Sequence, residues 1–173
     1  MSTGRRSVRS TSTRRLSHTK RGGVAMGSES CDACGRDGYN NPAVSVDAVA
    51  LRQGEVDTEA LLIRRGAEPW KGRLGFPGGF VENGEDPEDA VLRELEEETG
   101  VDGFDPVALA IHGAPNRDPR KHVIGLFYLV DVDPDSVPRA GDDAAEAFWV
   151  PLSGLTAEEL SGDHIRIVEM LRE

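Results

Sequence analysis

The sequence predicts an α/β domain in which a mixed β-sheet is packed between helices. Valine- and isoleucine-rich stretches of strand length recur along the chain, a capped helix stands near its middle, and a second amphipathic run closes it. A length of 173 residues suits one domain with a substantial core, and no internal repeat is present.

The elements follow in order. Residues 43–51 (AVSVDAVAL) alternate small apolar and polar side chains and read as a strand, with a turn at Gly54. Residues 59–65 (EALLIRR) form a second strand, buried at its LLI centre. The passage GAEPWKGRLGFPGGFVENGEDP is too rich in turn residues for a helix, though 74–76 and 80–82 fit short strands. Asp86 is then the expected N-cap, Pro87 the first helical residue, and Glu88 and Asp89 suit the positive end of the helix dipole. The helix is expected over 88–99, with Val91, Leu92 and Leu95 as its buried stripe and Gly100 as its stop. Strands are expected at 107–112, 123–132 (the longest, and central) and 147–150. An amphipathic helix over 163–172 turns Ile165, Val168 and Leu171 inward.

Charge divides the chain. Residues 1–28 hold seven basic residues and no acid, which leaves 13 basic against 31 acidic residues in the body, a net of −18. That body repels nucleic-acid backbones, so nucleic acid is not an expected partner of the domain, whereas metal cations are. Lysine is scarce, with Lys20, Lys71 and Lys121 against 17 arginines, and an acidic, lysine-poor surface suggests a salt-adapted protein. No stretch approaches the ~18 apolar residues of a membrane span, and no apolar run near the start serves as a secretory signal, so a cytoplasmic protein is expected.

Residues 1–28 lack a core-forming pattern and are expected to be a disordered basic tail. The tail reads as an extension ahead of a working start at Met26, as a transit-type peptide, or as an arm that touches nucleic acid; the change of composition just after Met26 favours the first. Residues 29–40 carry Cys31 and Cys34 in a C-x-x-C-G knuckle. A closed zinc site needs four ligands, no second C-x-x-C exists, and His18, His112, His122 and His164 are scattered, so reduced thiols are expected rather than zinc. The domain proper is placed at 41–173.

The central helix carries the chemistry. Glu94 and Glu98 are four residues apart and share a face, with Glu97 beside them. Arg93 relieves Glu97 at i+4, but no base at helical spacing serves Glu94 or Glu98, and Arg93 is the only basic residue between Arg73 and Arg117. Such a face suggests an external cation, and hard carboxylate oxygens point to Mg2+, for which Mn2+ can substitute. Gly78 and Gly79 let the backbone come close to that face and present carbonyls or amides to metal or substrate. A merely solvated acidic surface is the alternative.

Spacing separates the two. Gly79, Glu85, Arg93, Glu94, Leu95, Glu97, Glu98, Gly100 and Val101 match, without a gap, the pattern G-x5-E-x7-R-E-U-x-E-E-x-G-U of the Nudix box, where U is aliphatic. By this the chain resembles the Nudix hydrolases. The resemblance implies an α/β/α sandwich, metal binding by Glu94, Glu97, Glu98 and the Gly79 carbonyl, and a Glu85–Arg93 ion pair that holds the loop against the helix. It implies a small nucleotide substrate cut at a phosphoanhydride bond, and a homodimer as a candidate assembly.

Two further segments bear on the substrate. EPWKGRLGFPGGFVENGE and GAPNRDPRKHVIGLFYL are similar to the corresponding parts of the ADP-ribose pyrophosphatase branch, with Asn116 where glycine is common. Arg117 and Arg120 are thus expected to clamp phosphate or ribose oxygens, unless Arg-Asp-Pro-Arg is an ordinary ion-paired turn. Hydrolysis of ADP-ribose to AMP and ribose 5-phosphate is the resulting expectation. A nucleoside triphosphate pyrophosphohydrolase and a non-catalytic nucleotide sensor are the alternatives, the latter disfavoured because every box glutamate is present. The general base is expected among the box glutamates or the acids of RAGDDAAEAFWV, namely Asp142, Asp143 and Glu146. Trp70, Phe80 and Tyr128 are candidates for stacking on a base or for plain wall packing.

Overall fold

The computed structural model describes residues 41–141 and 144–173. The expectations for the basic tail, for Cys31 and Cys34 with their zinc, and for Asp142 and Asp143 lie outside the described residues. Among the described residues eight strands and two α-helices follow one another as β1 (Ala43–Val49), β2 (Leu51–Gln53), β3 (Thr58–Arg65), β4 (Leu74–Gly75), β5 (Gly78–Phe80), α1 (Pro87–Thr99), β6 (Gly103–His112), β7 (Val123–Val132), β8 (Ala144–Pro151) and α2 (Ile165–Leu171), with a short 3-10 turn at Leu152–Gly154.

The mixed sheet runs β5-β1-β7-β6, with β1 and β7 parallel and the other pairs antiparallel. A second, wholly antiparallel sheet is centred on β3, which pairs with β2, β4 and β8. One expected strand therefore serves both sheets: the chain crosses between them at Ala50, whose carbonyl accepts from Leu61 N at 3.0 Å.

Alternation along the strands divides the core between the helices. Val46, Ala48 and Ala50 of the first segment, Leu61 of β3 and Tyr128 and Val130 of β7 pack with Ala90, Val91 and Leu95 of α1. Their neighbours Val49, Ala60, Leu62 and Phe127 point the other way, onto Ile167 and Val168 of α2. That is the α/β/α sandwich. Tyr128 is thereby core, 7% exposed, and not a stacking platform.

α1 begins and ends as its sequence dictates. Asp86 accepts from Glu88 N at 3.0 Å, Pro87 opens the helix, and Gly100 closes it in the left-handed region at φ 65°. Two strands outrun their expected bounds. β6 starts at Gly103 rather than 107 because it lies on the sheet edge, where bulges accommodate Asp105 and Pro106. β8 starts at Ala144 rather than 147, which draws Glu146 out of the expected loop and into register with Arg64. Among the described residues no helix is long and apolar enough to cross a membrane.

Candidate active site

A cavity of about 280 Å3 opens between the mixed sheet and the flanking loops, lined among others by Asp47, Gly78, Gly79, Glu94, Glu98, Arg117 and Arg120. Its position follows from β1. Asp47 lies on the face of Val49, the side that α2 covers, yet it is an acid, and the cavity forms where that face cannot be filled with apolar groups.

Backbone proximity builds the α1 side. A Cβ on Gly78 would fall 2.1 Å from Val46 O, and one on Gly79 would fall 2.3 Å from a Glu94 carboxylate oxygen. Only glycine lets β5 lie between β1 and the helix face. Gly78 N donates to Glu98 Oε2 at 2.8 Å, and Glu98 is 8% exposed. Glu85 accepts from Arg93 Nε at 2.7 Å and Nη2 at 3.0 Å and from Glu82 N at 2.8 Å, which ties the loop to the helix. Those hydrogen bonds hold the Glu85 carboxyl down at about 2.

One expectation is corrected here. Arg93 Nη1 donates to Glu94 at 2.8 Å as well as to Glu97 at 3.0 Å, so Glu94 does have a basic partner, reached between adjacent residues rather than at helical spacing. Burial nonetheless raises the proton affinity of Glu94 above the usual carboxylate range, against the opposing pull of Arg93. Glu94 and Glu98 line the cavity together; Glu97 is exposed and does not. Among the described residues no three acidic, histidine or cysteine side chains converge as a ready-made ion cage.

The far wall comes from the loop before β7 and the residues just ahead of α2. Asp163 accepts from Arg117 Nη2 at 2.7 Å and from Nε at 3.2 Å, and Asp118 accepts from Arg120 Nη2 at 2.8 Å and Nε at 3.1 Å. Both arginines face the cavity, each with its charge already matched. Arg120 and Lys121 also lie over the ring of Phe80, 5.5 and 4.1 Å from its centroid, at the rim. Trp70 lines the cavity beside Gly162. Glu146 does not line it: its carboxylate pairs with Arg64 at 2.6 Å across β3 and β8, and cross-strand pairing outcompetes the loop position expected for it.

Asp47, Asp163, His164 and Arg65 line the site although sequence reasoning did not single them out. His164 Nδ1 accepts from Phe76 N at 3.2 Å, which leaves the proton on Nε2, 3.6 Å from Asp47 Oδ1. Burial between Phe76 and Phe127 depresses His164 to about 3, so the ring is neutral. Burial pushes Asp47 up to about 7; Asp163 and Glu98 add to the rise and Arg117 opposes it. Asp47 was legible in principle, as the one acid sharing a strand face with Val49. Asp163 and His164 looked like ordinary first residues of a helix.

Residues 41–171 match the family profile described as NUDIX domain. Over 131 residues the chain is 43% identical to the ADP-ribose pyrophosphatase of Methanocaldococcus jannaschii, a match covering 76% of this chain and 73% of that protein. It is 31% identical over 127 residues to the 8-oxo-dGTP diphosphatase of Escherichia coli, covering 72% and 94% of the two chains. Among solved structures, the NUDIX domain of Shewanella oneidensis NrtR complexed with ADP ribose superposes with a TM-score of 0.71 at 27% identity, over 78% of this chain and 88% of that one.

Proposed function

The chain belongs to the NUDIX family, and we propose that it hydrolyses ADP-ribose to AMP and ribose 5-phosphate with a divalent cation. The carrying observation is a single cavity that joins two box carboxylates, Glu94 and Glu98, to Arg117 and Arg120. The substrate class rests on the identity to the archaeal ADP-ribose pyrophosphatase.

The lining supports the cation. Even with Asp47 protonated, four carboxylates (Glu94, Glu98, Asp118, Asp163) face three guanidiniums (Arg65, Arg117, Arg120), so an entering diphosphate needs added positive charge. Glu94 and Glu98, with the Gly79 carbonyl and Glu97, are the groups that would hold it, and hard oxygen donors suit Mg2+ or Mn2+. Mg2+ keeps several waters and shares substrate phosphates, so it does not require a closed cage of side chains. When bound, it supplies charge neutralisation at the diphosphate and lowers the pKa of a water. The chain's own part is positional. Gly78 N fixes one Glu98 oxygen, and Arg93 restrains Glu94, Glu97 and Glu85 together. The proton released by the attacking water goes to a box carboxylate rather than to Glu146, which Arg64 holds outside the cavity. Assembly as a homodimer belongs to the same reading, supported by Phe104, Val107 and Ile111, which stand exposed on edge strand β6.

The test is product analysis with Mg2+ over ADP-ribose, NADH, diadenosine polyphosphates, and normal and oxidised nucleoside triphosphates, with Glu98→Gln as control. A glutamine still accepts from Gly78 N, so the variant should fold while kcat falls by a factor on the order of 100 or more. Preference for a triphosphate would replace the substrate and leave the hydrolase. Absence of any turnover would favour a nucleotide sensor.

A further inference from the structure

Arg117 and Asp163 form a bidentate ion pair on the cavity wall that does not belong to the box, and its geometry is specific. The guanidinium spends Nη2 (2.7 Å) and Nε (3.2 Å) on one carboxylate. Among the described residues Nη1 donates to none. Instead it lies over Gly125 of β7, where a Cβ would come within 2.7 Å of it. On the other side of Asp163, His112 Nδ1 sits 3.1 Å from Oδ2, without the alignment of a hydrogen bond. Burial raises Asp163, but the hydrogen bonds and charge of Arg117 outweigh it and keep the carboxylate ionised.

Register places this pair away from the box carboxylates. Gly125 is opposite Ser45 on β1, and Asp47 on the same strand is opposite Gly78 on β5. The arginine therefore stands over β7 and the Glu98 contact over β5, two strand spacings apart, or roughly 10 Å. A group bound at Arg117 is not the phosphorus being attacked.

Charge decides what kind of group it is. A phosphate is held by a clamp of net positive charge, whereas here Asp163 cancels Arg117, and Asp118 cancels Arg120. What remains is an N–H donor beside a carboxylate oxygen with spare lone pairs. Two adjacent hydroxyls match that pair, one accepting from Nη1 and the other donating to Asp163. We propose that Arg117 and Asp163 form a clamp for the vicinal diol of a ribose, and that the pair selects ribosyl over deoxyribosyl substrates. In ADP-ribose the diol belongs either to the adenosine ribose or to the terminal ribose. The proposal rests on the reading of the protein as a nucleotide hydrolase, not on ADP-ribose in particular.

The experiment compares kcat/KM for ADP-ribose with that for its 2′-deoxy and 2″-deoxy analogues, in the wild type, Asp163→Asn and Gly125→Ala. If ADP-ribose is not turned over, the substrate reading has failed, and the ribo and deoxy forms of whichever triphosphate is cleaved take its place. If nothing is cleaved, the ratio of Kd values from calorimetry replaces that of kcat/KM. The wild type should lose about 10- to 100-fold on one analogue, the factor for one hydrogen bond to a charged partner, and the analogue affected identifies the ribose. Both variants should bring the ratio to within about threefold of unity. A merely structural role would lower ribo and deoxy forms alike and leave the ratio unchanged. Gly125→Ala displaces the guanidinium with Asp163 intact, so it covers the case in which Asp163→Asn fails to fold. A wild type indifferent to both deoxygenations, or variants that keep full discrimination, would overturn the proposal.

Discussion

Asp47 is an acid that the fold holds against its inclination to ionise. Its carboxyl titrates at about 7 in the folded protein against the usual 3.8 of an exposed aspartate, so between those values the folded chain carries the extra proton. Stability therefore falls as pH rises through that window and stays reduced above it. Asp47→Asn should gain up to roughly 4 kcal/mol over wild type at pH 8 and nothing at pH 4, measured by urea unfolding with a chelator present. A gain of equal size at both pH values would mean that the charge is not its cause. Gly79 makes the opposite point, about space. In Gly79→Ala the new methyl meets the Glu94 carboxylate at 2.3 Å, and that carboxylate is restrained by Arg93 and cannot simply swing away. Turnover should drop at least tenfold with the melting temperature within a few degrees of wild type. Unfolding instead would show that Gly79 serves the sheet more than the site.

Helix α1 owes its boundaries to local chemistry, and Asp86→Ala should cost about 1 kcal/mol through loss of the bond to Glu88 N. Denaturant unfolding reads this directly, and no change would mean that Pro87 alone sets the start. β8 is different, because its beginning is decided by β3. The pair of Glu146 with Arg64 is half-exposed and joins two strands that already pair along their length. Glu146→Gln should leave stability within about 0.5 kcal/mol and kcat/KM within about twofold. A hundredfold fall would restore Glu146 as a candidate general base. The segment before β8 is also docked on α1: Arg139 N donates to Thr99 O at 2.8 Å and Gly141 N to Glu98 O at 3.0 Å. A Cβ on Gly141 would fall 1.8 Å from Glu97 O, which accounts for a glycine that no turn rule would have required.

At the scale of the molecule, charge and domain limits make two predictions. With 31 acidic residues and a net of −11, the folded state is self-repelling, and its melting temperature should rise between low salt and 1 M salt; a flat response would remove the salt-adapted reading. The family profile matches residues 41–171 and Asn41–Glu173 forms its own compact unit, so that segment by itself should fold and keep the kcat/KM of the whole chain. The box helix, its caps, the two-faced strands and the sandwich class were legible in the chain by itself, because each rests on contacts between residues near in sequence or on a period that burial enforces. So were Gly78 and Gly79 beside Glu94 and Glu98, since a fixed spacing ties that loop to that helix. Tertiary structure alone decided that Arg93 serves Glu94, that β3 claims Glu146, and that Asp163, 46 residues after Arg117, neutralises it. It also brought Asp47 and His164 to one wall of the cavity. The physical reason is common to all of these: charge matching and burial depend on which residues fold together from distant parts of the chain, and no local pattern encodes that distance.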